Sequence, residues 1–558
     1  MKKQLLTALS VLSLGVSVAQ TGFFTPTSYR GAFAPAPTAM WTDTWTEWDP
    51  QNKVYPAPTV TVTGNITTNT TWTTGQTVLL SAQCFVKNNA ILTIQPGVVV
   101  LGDKSVTGAC LLITTGSKLI ANGTAASPIV FTSNQAPGAR SLGDWGGIIL
   151  CGLATNNSAA GTGTLTNAAG TNYVEGFPVS SDVLYGGTND DDNSGSLKYI
   201  RIEFPGYVYQ PNKEINGLTM GAVGRGTTID YIQSSFSNDD SFEWFGGAVN
   251  CSHLVAYRGL DDDFDTDNGY HGNVQFALGV RDPQISDNPS VSTSEGFESD
   301  NDPNGTTSTP LTSAIFTNVT DIGPLRGVLT ATAASGFQRG ARIRRNSNLK
   351  IYNSILMDHK TRGVYIDGSL CETNANSGAL KFMNNIVAGY GVRATETGTF
   401  GILSANVWVK AQQNDTLTST TGILTTPYNY TSPDYRPAGS SIALAGANFT
   451  DTPIAANTNT GSATSIANHA TGLNTVTLFP NPSSDLSSLT FNVNQNTEVS
   501  VYVADITGKT ILVAAEAMPV FAGQNTININ SSSLTSGIYF VTVRSALGRE
   551  TLKMVINK

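Results

Sequence analysis

Short apolar words recur along this chain at a spacing close to one coil of a solenoid, and that recurrence leaves few folds open. Residues 90–100 read Ala-Ile-Leu-Thr-Ile-Gln-Pro-Gly-Val-Val-Val, and residues 117–124 read Ser-Lys-Leu-Ile-Ala-Asn-Gly-Thr. Laying Leu92 over Leu119 gives a period of 27 residues. The Pro-Gly and Asn-Gly pairs mark the corners between strands. The same apolar face returns at residues 197–202, 229–232, 253–257, 315–319, 349–355 and 380–386, with loops of varying length between them. One such coil cannot bury its apolar side alone, so it must stack on its neighbours. Helical periodicity is nearly absent.

Two acidic clusters, Asp239-Asp240 and Asp261-Asp262-Asp263, sit 22 residues apart, again about one coil. Stacked as neighbouring strands ~4.8 Å apart, their carboxylates repel strongly unless a cation lies between them or they splay into water. The run Asp261-Asp-Asp-Phe-Asp-Thr-Asp267 is the densest. In an extended chain Asp261, Asp263, Asp265 and Asp267 point one way while Phe264 points into the core. Hard oxygen donors at that density suit Ca²⁺, which accepts six to eight oxygens in loose geometry. The reading is a calcium site built from Asp239, Asp240, Asp261, Asp263, Asp265 and Asp267; a solvated acidic rim is the competing one. Further carboxylates occur at residues 190–192 and 295–302.

Only 13% of the 558 residues are charged, and the formal net charge is −9. No basic field is available for nucleic acid. Lys2-Lys3, an apolar stretch from Leu5 to Val18 and Ser17-Val18-Ala19 read as a secretory signal over residues 1–19. No later segment reaches transmembrane length. Residues 20–58 are expected to form an N-terminal cap. Trp41, Trp45 and Trp48 fall on one face of a helix and are expected to lie as a lid over the first coil. Cys84 and Cys110, near one coil apart, are candidates for an inter-coil disulfide; buried small hydrophobes are the alternative. Gly508-Lys509-Thr510 is a strand turn rather than a phosphate loop, since Val503 stands where the first Gly is needed.

The words "LTI-PG-V", "LIA-GT" and "PI-FTS" resemble the opening coils of parallel β-helix proteins of bacterial surfaces. The expected architecture is all-β: a right-handed parallel β-helix over 59–410, an irregular coil and linker over 411–474, and a small C-terminal β-sandwich over 475–558. In that last stretch Leu478-Phe-Pro-Asn-Pro, Val501-Tyr-Val-Ala-Asp-Ile-Thr-Gly-Lys, Leu534-Thr-Ser-Gly-Ile-Tyr and the closing Lys-Met-Val-Ile-Asn-Lys558 appear in order. Together they resemble the type A sorting domain of the type IX secretion system of Bacteroidetes. The resemblance implies handling by that secretion machinery, export across the outer membrane, and then attachment to surface lipopolysaccharide or release.

Arg342-Ile343-Arg344 and Tyr270-His271-Gly272 are similar to words in pectin-degrading β-helices, whose lyases use calcium with an Arg base and whose hydrolases use paired Asp residues. Neither word matches fully. The reading that follows is a surface or secreted binding protein, for glycan or another surface, with a calcium-stabilised acidic face. The alternative is an extracellular lyase or glycoside hydrolase acting on acidic polysaccharide, with Asp239, Asp240, Asp262, Arg342 and Arg344 gathered in one groove.

Overall fold

The computed structural model describes residues 22–161, 167–210, 213–328, 332–389, 392–396, 405–458, 473–505, 509–545 and 548–558. The expected signal segment, residues 1–19, and residues 459–472 of the expected coil and linker lie outside the described residues. The chain divides into two compact units, Met1–Asn459 and Thr460–Lys558.

The first unit is a parallel β-helix. Leu92 stands opposite Leu119, as the repeat requires. From there the inward ladder Leu197, Ile229, Cys251, Val274, Phe316, Ile351 and Phe382 passes from coil to coil in register. All seven are buried. Burying such side chains contributes ~1.5–3 kcal/mol each, the main term holding the stack together. A second face is a ten-stranded parallel sheet running in chain order from Gln83–Val86 to Val392–Glu396. Parallel pairing continues to Asp415–Leu417, which joins Ile386–Ala388.

Each middle coil bends where one residue adopts a left-handed backbone. Tyr199, Tyr231, His253 and Phe276 occupy that position with φ of 49°, 58°, 53° and 60°. A side chain held there costs ~1–2 kcal/mol. The rings stack from coil to coil at 4.3, 4.1 and 5.2 Å between centroids, which offsets part of that cost. Asn318, Asn353 and Asn384 take the same place in the later coils, as the residue type that tolerates it best after Gly.

This ladder explains where the N-terminal segment goes. Residues 22–58 run back along the side of the β-helix, from its last coils to its first. The Gly31 N–H donates to Asn353 O at 2.8 Å, and Arg30 Nη1 reaches Asp415 at 2.6 Å. Trp41 packs edge-on against His253 and Trp45 against Tyr199 and Tyr231. Tyr55 donates to Glu203 at 2.9 Å, and the Thr59 N–H closes onto Thr77 O at 2.8 Å. The tryptophans therefore cover the flank of the middle coils, not the first coil. They sit in turns rather than on a helix. The first coil buries its own Ile66 and Trp72, whereas the stacked rings offer the flat apolar surface that Trp41 and Trp45 need.

All five cysteines are free and buried. Cys110 stands opposite Gln83, while Cys84 stands opposite Leu111. An offset of one residue puts the two thiols on opposite faces of the sheet, so the expected Cys84–Cys110 bridge does not form.

The second unit pairs a three-stranded antiparallel sheet (Leu473–Phe479, Leu486–Val493, Gly523–Asn530) with a four-stranded one (Thr510–Val520, Thr497–Ala504, Gly537–Ser545, Gly548–Ile556). Leu489, Phe491, Val499, Val501, Val541 and Val543 fill the space between them. Alternate residues of Leu486–Val493 are buried, the pattern of a β-sandwich.

Candidate functional site

The site lies on the ten-stranded sheet, where three consecutive coils carry the words Phe-Glu, Phe-Asp and Phe-Glu. Phe242, Phe264 and Phe297 stack inward in register. The next residue of each strand therefore points out, and Glu243, Asp265 and Glu298 form a ladder of carboxylates. At ~4.8 Å per coil these charges crowd one another. The ladder ends at Arg342, which is in register with Glu298.

The loops before these strands bring more acid. Asp240 Oδ1 accepts the N–H of Asp262 at 2.8 Å, Asp262 Oδ1 accepts that of Glu295 at 2.5 Å, and Glu295 Oε2 accepts that of Arg339 at 2.7 Å. Elsewhere in the β-helix the same coil-to-coil bond is made by asparagine: Asn250 accepts from Asn273 at 3.0 Å and Asn385 from Ser354 at 2.9 Å. A neutral amide suffices for that bond. Carboxylates at this place add buried charge that the fold does not need, and buried charge is costly unless something pairs with it.

The result is a cleft of about 680 Å³ whose wall includes Glu175, Asp239, Asp240, Glu243, Asp261, Asp265 and Asp267, with Arg344 and Arg345 as its cations. Burial, reinforced by neighbouring carboxylates, holds Asp239, Asp240, Glu243, Asp261, Asp262 and Asp265 well above the ordinary carboxylate range. Burial raises Asp267 to about 8, with Asp300 adding to the effect. It raises Glu298 to about 7 even though Arg344 and Arg342 oppose it. Asp261 Oδ1 and Asp265 Oδ1 are buried and accept no hydrogen bond.

Three groups of carboxylates each bring their oxygens within 4.8 Å of one another: Asp239–Asp240–Asp261, Asp240–Glu243–Asp265 and Asp262–Asp265–Glu298. Asp240 and Asp265 are shared between groups. An all-oxygen donor set with orphaned, buried oxygens fits a hard divalent cation, Ca²⁺ before Mg²⁺ because spacing and ligand number are irregular.

Of the residues predicted from sequence, Asp239, Asp240, Asp261, Asp265 and Asp267 line this cleft, and Asp262 joins the third group. Asp263 does not. It precedes the strand on the inward side, fully buried, with Arg281 Nε 3.0 Å from its Oδ2. The extended alternation expected over Asp261–Asp267 begins only at Phe264, where the strand starts. Arg344 lines the cleft but is committed to Glu298 and, at 2.7 Å, to Asp300. Arg342 pairs with Asp367 at 3.0 Å and Glu298 at 3.5 Å, outside the cleft wall. Asp190 lies elsewhere, bonded to Thr155 and His271. Counting Asp runs missed Glu243, and it noted Glu298 only as part of the carboxylate stretch 295–302 without placing it in the site. The signal for both was the recurring Phe-acid pair, at Phe242-Glu243, Phe264-Asp265 and Phe297-Glu298.

Residues 64–429 match the pectate-lyase-like β-helix domain. The chain belongs to that β-helix family. Residues 477–557 of this β-helix protein match the secretion-system C-terminal sorting domain, so it is exported to the cell surface or secreted. Among solved structures it is similar to tailspike protein 2 of the Escherichia coli O157:H7 bacteriophage CAB120, at 9% identity and a TM-score of 0.24. That alignment covers 86% of this chain and 64% of the tailspike, so the chain spans less than two thirds of that protein. The Dettilon tailspike protein is similar at 11% identity and a TM-score of 0.20, covering 88% of this chain and 87% of that one. No curated protein matches. Among the described residues no helix is long and apolar enough to cross a membrane.

Proposed function

We propose that this is a non-catalytic surface β-helix protein whose acidic cleft binds calcium and, so loaded, presents a binding face for glycan. The observation that carries the reading is the in-register ladder Glu243, Asp265 and Glu298, flanked by Asp240 and Asp261. Calcium would be held by Asp239, Asp240, Asp261, Glu243 and Asp265, and by Asp262 with Glu298. It supplies positive charge and open coordination positions for the hydroxyl or carboxylate oxygens of a sugar. After export, attachment to surface lipopolysaccharide or release completes the proposed itinerary.

The alternative, a lyase or hydrolase for acidic polysaccharide, draws on Arg344 lying in the same cleft. Glu298 and Asp300 oppose it as a base, because both hold the guanidinium in its charged form. Calcium titration by calorimetry tests the first reading; absence of binding at millimolar calcium overturns it. Incubation with a polyuronate panel, read by unsaturated product and reducing ends, tests the second. Turnover would replace the non-catalytic reading by the enzymatic one.

A further inference from the structure

A second cavity, of about 710 Å³, shares no residue with the acidic cleft. Three stretches of chain wall it: Gly22 and Phe23 of the N-terminal segment, the strand entries at Asn273, Ser313 and Lys350, and the turn of helix from Thr452 to Asn457. No carboxylate lines it.

Three basic side chains reach the wall, and two of them are already paired. Arg225 lies 3.0 Å from Asp191 and 3.8 Å from Asp190, and His271 Nε2 lies 3.1 Å from the same Asp190. Lys350 has no carboxylate partner among the described residues. Its Nζ donates to two backbone carbonyl oxygens, those of Ser313 at 3.2 Å and Asn348 at 3.1 Å. Lys381 stands beside it, in register on the next strand. Asp451, the acid at this end of the ladder, serves Lys381 at 3.5 Å and accepts the Tyr352 hydroxyl at 2.7 Å.

These contacts suit an amine better than an ammonium. An ammonium carries three N–H donors, and here only two acceptors meet them. A neutral amine carries two N–H groups, which those carbonyls satisfy, and a lone pair left over in a residue that lines the cavity. Partial burial and a second cation alongside press the same way. Accordingly burial, and then Lys381, lower the Lys350 pKa to about 8. A lysine so placed is a nucleophile near neutral pH.

We propose that Lys350 is a reactive amine and that this cavity captures small aldehydes on it as an imine. The Nζ lone pair attacks the carbonyl carbon, forming the C–N bond as the C=O double bond opens. The nitrogen then gives up its two protons, the oxygen leaves as water, and a C=N bond remains. No electron is gained or lost, so no oxidant or reductant is required. The polar side chains of Asn250, Asn273 and Ser313 in the wall favour an aldehyde that carries hydroxyl groups. Calcium in the acidic cleft plays no part in this inference.

The test is labelling of the full chain in EDTA with glyceraldehyde and cyanoborohydride, which reduces the imine to a stable amine, followed by peptide mapping. At pH 7 Lys350 should be labelled about tenfold faster than the exposed Lys553 and Lys558. Its rate should level off above about pH 8, whereas that of an ordinary lysine climbs to about pH 10. In denaturant the preference should vanish, and K350R should leave no fast-labelled site. Labelling of Lys350 no faster than that of the exposed lysines overturns the proposal. So does a preference that survives denaturation, or a rate that climbs to about pH 10. The decisive comparison uses the unaltered chain, so it does not depend on the folding of a variant.

Discussion

Asp263 and Asp265 are two residues apart and do different work. Asp265 belongs to two of the three carboxylate groups, so D265N should weaken calcium binding about tenfold or more by lowering ligand charge. Asp263 neutralises a buried guanidinium. D263N should lower stability by up to ~3–5 kcal/mol with or without calcium, because it removes the carboxylate nearest Arg281, although Asp262, Asp321 and Asp261 still favour that charge. Differential scanning calorimetry of both variants in EDTA and in calcium separates the two roles. The acids of the cleft also set a pH dependence of unusual sign. Asp267 and Glu298 have folded pKa values of about 8 and about 7, raised from 3.8 and 4.5. The fold therefore favours their protonated forms. That contribution is fully present below about pH 4 and is lost as pH rises through about 7 to 8. In EDTA the Tm should fall by roughly 5–10 °C between pH 5.5 and 8.5. With calcium the trend should flatten or reverse, because the ion takes the ionised form. A Tm in EDTA that is flat over this range would contradict the buried acid ladder.

At the scale of elements, the stacked strands were legible because a coil period survives variation in loop length. Leu92 over Leu119, and the run of apolar words from Leu197 to Ile386, locate the coils from spacing alone. The acidic clusters were legible for the same reason, since Asp240 and Asp262 fall one coil apart. Register inside the site was less so. Reading Asp263 as strand placed it one residue too early, and in a strand one residue exchanges inside for outside. The path of residues 22–58 was not legible either. It depends on an aromatic ladder made by single residues of four different coils, a surface that exists only after the coils have stacked. W45A tests that path. Trp45 is fully buried against Tyr199 and Tyr231. Its loss should cost ~3–5 kcal/mol and raise amide exchange in residues 22–58 and in the coil corners they cover. Calcium affinity should not change, since the acidic cleft is on the other sheet. Unaltered exchange in residues 22–58 would show that the tryptophan does not hold the segment.

At the scale of the whole molecule, the two units carry different information in physically separate cores. The β-helix core gathers residues from Ile66 to Val409, and the sorting core gathers residues from Leu489 to Ile556. The acidic cleft and the segment 22–58 both draw on the first unit. The second holds an alternating sandwich with its own apolar interior, and its family assigns it to sorting. Separate cores imply separate cooperative transitions. A chain ending at Asn459 should therefore keep the Tm of the β-helix transition to within about 1–2 °C, since the β-helix core is left whole. It should also keep the full calcium response, about 2.7 kcal/mol at a hundredfold excess over Kd. The same truncation should abolish delivery to the surface in a bacterium with a type IX secretion system, leaving folded protein behind the outer membrane. Calorimetry of the truncated chain and surface proteolysis of cells expressing either form make the comparison. Loss of the calcium response on truncation would mean that the sorting unit helps to build the site. Undiminished surface display would mean that the address is read elsewhere in the chain.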